Sequence, residues 1–203
     1  MNLVLACTVA WLLGGIPFGL VLVRVLLGLD VRTIGSGNVG ATNASRAFGR
    51  ARVPMFLLFY VLDCAKGFVP AFWFASWFGL APGVSAPVLC GAAAIAGHCF
   101  SPFLRLRGGK GVATTTGVFA AVEPIALGVA LLGFFIVLAI GRRVFFGSLA
   151  IAVLLAVTVI LREPATAFRE RLPATTLALV VAVFLFWTHR SNFAKLRAAR
   201  RTS

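Results

Sequence analysis

The residues able to do chemistry lie in three polar stretches between apolar runs. The first reads Asp30-Val31-Arg32-Thr33-Ile34-Gly35-Ser36-Gly37-Asn38-Val39-Gly40-Ala41-Thr42-Asn43, with Ser45 and Arg46 behind it. Gly35, Gly37 and Gly40 permit left-handed backbone and close approach of a ligand. Successive backbone N–H groups in such a run can form an anion-binding nest. Ser, Asn and Thr side chains add donors. The bland alternative is a flexible tight turn, and Arg46 tips the balance toward phosphate.

The second stretch runs from Gly97 and His98 through Ser101-Pro102 to Arg105-Leu106-Arg107-Gly108-Gly109-Lys110-Gly111 and on to Thr114. It fails the nucleotide phosphate-loop pattern, because no Ser or Thr follows Lys110 and Leu104 stands where the leading Gly is required. A Gly-rich turn still holds an ammonium at a helix start, where the helix dipole favours anions. The alternative for Lys110 is a snorkelling anchor at the membrane surface. The third stretch is Trp187-Thr188-His189-Arg190-Ser191-Asn192-Phe193. His189 and Asn192 stand three apart and share a helix face, so they can turn inward together, or they simply end a helix in the headgroup layer.

Asp63 and Lys66 stand inside an apolar run, also three apart. Ionisable groups within a span are costly and pair or line a cavity. The spacing favours an intrahelical pair over direct catalysis. Several templates fail. The two His, His98 and His189, have no Asp five residues on, so the HxxxxD arrangement of many glycerolipid acyltransferases is absent. A Ser-His-Asp triad is not specified by spacing. Without a ligand cluster or many acids, a metal site is not expected. Cys7, Cys64, Cys90 and Cys99 form no CxxC pair and read as small core hydrophobes.

These stretches must be positioned by membrane spans. Of 203 residues, 61% are hydrophobic and 12% are charged, about half the charged share of a soluble domain. Mean hydropathy is +1.02. A soluble fold of this length could not hide so much apolar surface. Candidate spans are Leu3–Leu29 (interrupted at Gly14-Gly15-Ile16-Pro17), Val53–Phe78, Ala86–Leu104, Val112–Val122, Pro124–Ile140, Phe146–Leu161 and Thr175–Trp187. The fourth is too short to span alone, and a five-span alternative keeps the same termini. The first run has no basic n-region and is read as a mature span rather than a signal peptide.

Net charge is +14. With the N-terminus outside, fifteen Lys and Arg fall on inner segments: Arg24, Arg32, Arg46, Arg50, Arg52, Arg105, Arg107, Lys110, Arg142, Arg143, Arg190, Lys195, Arg197, Arg200 and Arg201. Arg162, Arg169 and Arg171 fall outside. This bias predicts an all-α integral membrane protein of about seven transmembrane helices, N-terminus external and C-terminus cytoplasmic, forming one domain over residues 1–203. Partners for the charge are anionic lipid or anionic small molecules. Nucleic acid is not expected, since no soluble basic domain exists.

At this point the motifs resemble a family, the bacterial acyl-phosphate-dependent glycerol-3-phosphate acyltransferases of the PlsY type. The matching pieces are GSGNVGATN with Arg46 behind it, GHCFSPFLRLRGGKGVAT, HRSN, IPFG at Ile16–Gly19, and Asp63-x-x-Lys66-Gly67 followed by Pro70. They run in order through nearly the whole chain. The resemblance implies a seven-helix fold in the bacterial inner membrane with its site near the cytoplasmic face. It implies acyl transfer from acyl phosphate to the 1-hydroxyl of sn-glycerol 3-phosphate, without cofactor or metal. Implied partners are these two substrates, membrane lipids, and the enzyme that supplies acyl phosphate.

On that reading Ser36, a catalytic residue together with His189 and His98, holds the acyl phosphate with Asn38, and Gly37, Gly40 and Asn43 are substrate-binding residues of the same loop. Arg46, Gly108, Gly109, Lys110, Thr114, Ser148, His189 and Asn192 surround glycerol 3-phosphate. The proton goes to His189, His98 or a substrate phosphate oxygen. Four places depart from the family pattern. Gly15 replaces a usual Ser, Ser101-Pro102 replaces a usual Pro at Ser101, Phe145 stands where a Ser is expected, and the tail after HRSN differs. Phe145 bears most on function, since on this reading it removes a hydroxyl near the substrate. Two rival readings remain: an anion transporter or channel, and a catalytically weakened paralogue.

Overall fold

The computed structural model describes residues 1–201, with side chains through residue 198; Arg200 and Arg201 of the charge count lie outside the described side chains. Every regular element among the described residues is helical. Two compact units divide the chain, Met1–Val122 and Glu123–Ser203.

The first unit holds α1 (Asn2–Gly15), α2 (Phe18–Leu27), α3 (Ala41–Ala44), α4 (Arg52–Trp77), α5 (Ser85–Cys99) and α6 (Val112–Val122), with short 3₁₀ turns at Val31–Thr33, Ser45–Ala51 and Pro102–Leu104. α1 and α2 are one apolar run broken at Ile16-Pro17, because proline has no N–H to continue the ladder. Gly28, at φ 68°, closes α2 by donating its N–H to Arg24 O. Small residues let the backbones approach: a side chain on Gly14 or Gly97 would run into the facing helix at Ala94 or Trp11. Gly67 and Gly117 do the same between α4 and α6, where the Tyr60 hydroxyl and Thr116 Oγ1 share a 2.9 Å hydrogen bond.

The second unit holds α7 (Pro124–Gly141), α8 (Val144–Arg162), α9 (Pro164–Ala167), α10 (Leu172–Thr188) and α11 (Arg190–Arg201). Proline opens α7, α9 and α10 near position N1, where a missing N–H costs nothing. Buried Glu123 ties the end of this unit together. It accepts from Arg162 Nη1 at 3.0 Å and from Arg171 Nη2, while Glu163 lies 3.5 Å from both arginines.

Six helical stretches among the described residues are long and apolar enough to cross a membrane: Asn2–Leu27, Ala41–Trp77, Ser85–Leu104, Pro124–Gly141, Val144–Arg162 and Leu172–Ala198. The chain is therefore an all-helical membrane protein. The expected fourth span, α6, has 11 residues and falls below that length. At 1.5 Å per residue it covers about 17 Å of a hydrocarbon core about 30 Å thick. Its residues from Ala113 to Phe119 are buried, and it packs on α4 and α5, so neighbouring helices enclose it.

Removing the Glu123 carboxylate takes the closer partner from two guanidinium groups and leaves them only the more exposed Glu163. Glu123→Ala should destabilise the protein by about 3 kcal/mol, read as a clear drop in Tm of purified protein in detergent.

Candidate active site

The first loop is held by one side chain. Asn43, buried at the head of α3, donates from Nδ2 toward the carbonyls of Val31, Ile34 and Asn38 at 2.9–3.0 Å. Its Oδ1 accepts the Ser36 N–H at 2.8 Å. The Asn43 amide is therefore engaged by its own loop, and its contribution is to set the shape of residues 31–43. Asn38 Oδ1 accepts the Gly40 N–H at 2.9 Å. Gly35 and Gly37 have φ of 55° and 75°, which L side chains adopt only with strain. A side chain on Gly35 would also strike Asn43 Oδ1 and the Arg46 guanidinium. Arg46 thus lies against the Gly-rich turn, as the motif spacing anticipated, and Ser36 and Arg46 are both exposed. Asp30 starts the loop, accepting the Arg32 N–H and gripping the Arg32 guanidinium at 2.6–3.1 Å. That guanidinium holds the Asp30 carboxyl down at about 2, against an ordinary 3.8.

The second loop folds over His98. The Gly108 and Gly109 N–H groups donate to Cys99 O and His98 O, both at 2.9 Å. The His98 ring is buried with Gly109 against Nε2, where a side chain would collide. Its Nδ1 faces Asp63 Oδ1 at 3.8 Å. His98 is thus walled in beneath the Gly-Gly turn that carries Lys110. Lys110 is half-buried two residues before α6. Thr114 is fully buried in the first turn of α6, its carbonyl against Gly67. Arg105 and Leu106 both take positive φ, 51° and 61°. Two successive left-handed residues reverse the chain sharply and return Leu106 N–H to Ser101 O at 2.8 Å.

Beneath both loops lies the helix break. The Ile16 carbonyl accepts from the Phe18 N–H at 3.1 Å and from Lys66 Nζ at 2.9 Å, and Lys66 pairs with Asp63 Oδ1 at 2.8 Å. The neighbouring Gly15 carbonyl accepts from Ser101 Oγ at 2.6 Å. A small pocket is lined by these groups together with Val39 of the first loop and His98 of the second. The Asp63–Lys66 intrahelical pair is present as expected. Spacing could not reveal that it also caps the broken helix and adjoins both loops. Gly15 and Ser101, two departures from the family pattern, meet in one hydrogen bond although 86 positions separate them.

Ser148, His189 and Asn192 belong to the second unit. Ser148 Oγ donates to Val144 O at 3.1 Å, within α8. Buried His189 forms the corner between α10 and α11. Its Nδ1 lies 2.8 Å from Leu185 O, and since a carbonyl only accepts, Nδ1 carries a proton and donates it. Asn192 N–H donates to His189 O at 2.8 Å. Phe145 sets its ring edge-on to Phe193 at 5.8 Å, so the aromatic that replaces a hydroxyl supports the helix carrying Asn192.

Three outcomes test this geometry. Ser101→Ala should cost about 1–2 kcal/mol by stranding the Gly15 carbonyl. Lys66→Met should cost about 3–5 kcal/mol, and the double variant Asp63→Leu/Lys66→Met should recover part of it. Both are read as Tm in detergent. Because the folded Asp30 pKa is depressed, its stabilisation is present above pH 3.8 and lost as pH falls toward 2. The stability gap between the native protein and Asp30→Asn should therefore close over that window in acid-unfolding curves.

A family model described as glycerol-3-phosphate acyltransferase matches residues 4–199. The glycerol-3-phosphate acyltransferase of Myxococcus xanthus (strain DK1622) is 42% identical over 192 residues, covering 95% of this chain and 93% of that one. That of Anaeromyxobacter dehalogenans (strain 2CP-C) is 39% identical over 187 residues, covering 92% and 89%. A crystal structure of PlsY, an integral membrane glycerol 3-phosphate acyltransferase, in its glycerol 3-phosphate form matches with a TM-score of 0.85 and 31% identity, over 98% of this chain and 94% of that one. Its lysophosphatidic acid form gives 0.82 and 30% over the same shares. The chain belongs to the glycerol-3-phosphate acyltransferase family.

Proposed function

We propose that this chain transfers the acyl group of an acyl phosphate to the 1-hydroxyl of sn-glycerol 3-phosphate, giving lysophosphatidic acid and inorganic phosphate. The observation that carries the chemistry is the Gly35–Gly40 turn, shaped by Asn43, with the Arg46 guanidinium laid against Gly35. The Ser36, Gly37 and Gly40 N–H groups are engaged within the loop, so what the turn presents to a phosphate is the exposed Ser36 side chain and the Arg46 guanidinium. Ser36 and Asn38 receive the acyl phosphate there, and Gly37 and Gly40 shape the loop that carries them. Arg46, Lys110, Ser148, His189 and Asn192 receive glycerol 3-phosphate, while the Gly108 and Gly109 N–H groups, which donate to Cys99 O and His98 O, shape the turn that carries Lys110.

The glycerol hydroxyl oxygen attacks the acyl carbon, and the carbon–oxygen bond to phosphate breaks. Phosphate leaves with that electron pair. An acyl phosphate is already activated, so the protein's work is to bring two anions together and stabilise the developing oxyanion. His189 Nε2 or a phosphate oxygen takes the hydroxyl proton. His98, enclosed under Gly109, instead supports the Gly108–Gly109 turn. No metal or cofactor is needed for these steps.

Both units act as one acyltransferase domain over residues 1–203, a reading supported by a single family model that runs through both. The chain sits in the bacterial inner membrane with its N-terminus outside and its C-terminus and site on the cytoplasmic side. The charge count supports this orientation. Glu123 bonds Arg162 and Arg171, so all three share one side. If the Arg105–Lys110 loop lies inside and those arginines outside, α6 must carry the chain across as the seventh crossing. An enzyme supplying acyl phosphate is the upstream partner.

Purified protein in detergent, given acyl phosphate and glycerol 3-phosphate, should release phosphate. Lys110→Ala should lower kcat/KM at least about 100-fold. Full activity in that variant overturns the site assignment. Absence of turnover in the native protein favours the weakened-paralogue reading, and substrate flux in liposomes favours transport.

A further inference from the structure

The spanning helix α10 ends at Thr188, and α11 begins at Arg190 across the His189 corner. The two helices differ in kind. α10 is apolar throughout, whereas α11 is basic and amphipathic. Arg190, Lys195 and Arg197 are exposed, while Phe193 and Leu196 are half-buried. Arg190 and Arg197 stand two turns apart on one stripe, which Phe193 borders at i+3; Leu196 lies beyond Phe193, and Lys195 stands on the opposite side of the helix from Phe193. Phe193 packs against Phe145 of α8, so the exposed Arg190 and Arg197 flank that contact and the exposed Lys195 faces away from it.

The cations of this stripe have no acid to answer them. From Leu172 onward the chain contains no Asp or Glu. Among the described residues the ion pairs lie elsewhere: Asp30 with Arg32, Asp63 with Lys66 and His98, and Glu123 and Glu163 with Arg162 and Arg171. Arg190 instead lies over the Trp187 ring at 4.0 Å and donates to the Trp187 carbonyl at 3.1 Å. An exposed Trp at the end of a span marks the headgroup layer, and an adjoining basic helix is attracted to anionic lipid.

We propose that α11 is a headgroup-binding helix for anionic phospholipid, with Arg190, Lys195 and Arg197 on the lipid phosphates. Direct continuity with a spanning helix holds the stripe at the membrane surface and favours lipid over a soluble acidic partner. The bound lipid steadies the corner that presents His189 and Asn192, so anionic lipid lowers the KM for glycerol 3-phosphate; this last effect rests on the proposed role of that pair.

A benzophenone side chain at exposed Ala194, in full-length protein reconstituted in vesicles, reads the lipid at the stripe directly. Phosphatidylglycerol should crosslink in preference to phosphatidylcholine, and Lys195→Gln and Arg197→Gln should each cut the preference roughly fivefold. Equal yields from the two lipids, or a preference unchanged in the double variant, overturns the proposal. A dominant protein adduct overturns it too and assigns the stripe to a protein partner. The crosslink needs no turnover, so its failure is distinct from failure of acyl transfer. Phosphate release in vesicles with and without phosphatidylglycerol should show a lower KM with the anionic lipid in the native protein and little change in Lys195→Gln/Arg197→Gln. An unchanged native KM overturns the coupling to the site.

Discussion

A helix broken inside an apolar medium leaves carbonyls that water cannot reach, and each must find a donor from the protein. In this chain the break is Ile16-Pro17, and its carbonyls are capped by Lys66 and Ser101. Much else follows from that requirement. A lysine carried into the span needs a counter-charge, and Asp63 supplies it one helical turn away. Asp63 in turn faces His98, whose ring is the floor of the Gly108–Gly109 turn. Beyond the break, α2 is free to take its own direction, and Gly19 lies so close to the Val39 carbonyl that a side chain there would clash. The buried charged pair is therefore costly on its own but joins the helix break to both Gly-rich loops.

Charge is used differently on the two proposed sides of the membrane. Three acids, Glu123, Glu163 and Glu170, accompany the three outer arginines, so that side is neutral in sum. Two of those acids are spent on an ion-pair network that ties the ends of α7, α8 and α10. Asp63 and Lys66 cancel within a span. The net charge of +14 therefore resides on the segments proposed to lie inside, where Asp30 is the lone acid and is bound to Arg32. Such a surplus attracts anionic substrates and anionic lipid alike. Backbone geometry separates the two uses: the Gly35–Gly40 turn sets Arg46 against a tight left-handed loop, whereas α11 offers only a helical stripe.

Composition and hydropathy alone determined that this is a helical membrane protein, because no soluble fold hides so much apolar surface. The span boundaries were legible for the same reason: Val53–Phe78 in the sequence became Arg52–Trp77, and the Gly-Gly-Ile-Pro interruption became a true break. The motifs also named the polar stretches on which the proposed site draws. Spacing reached Asp63–Lys66 as a pair and Arg46 as a companion of the Gly-rich turn, since both relations are local along the chain. What spacing could not reach were relations between distant segments. Asn43 looked like a ligand, and only the folded loop revealed an amide engaged by four backbone groups of its own segment. His98 looked like a possible base, and only packing placed Gly109 over its ring. Gly15 and Ser101 looked like two unrelated departures until the fold joined them. The physical reason is the same in each case: periodicity and composition report the solvent a segment prefers, whereas the partner of a buried polar atom depends on which other segment arrives beside it.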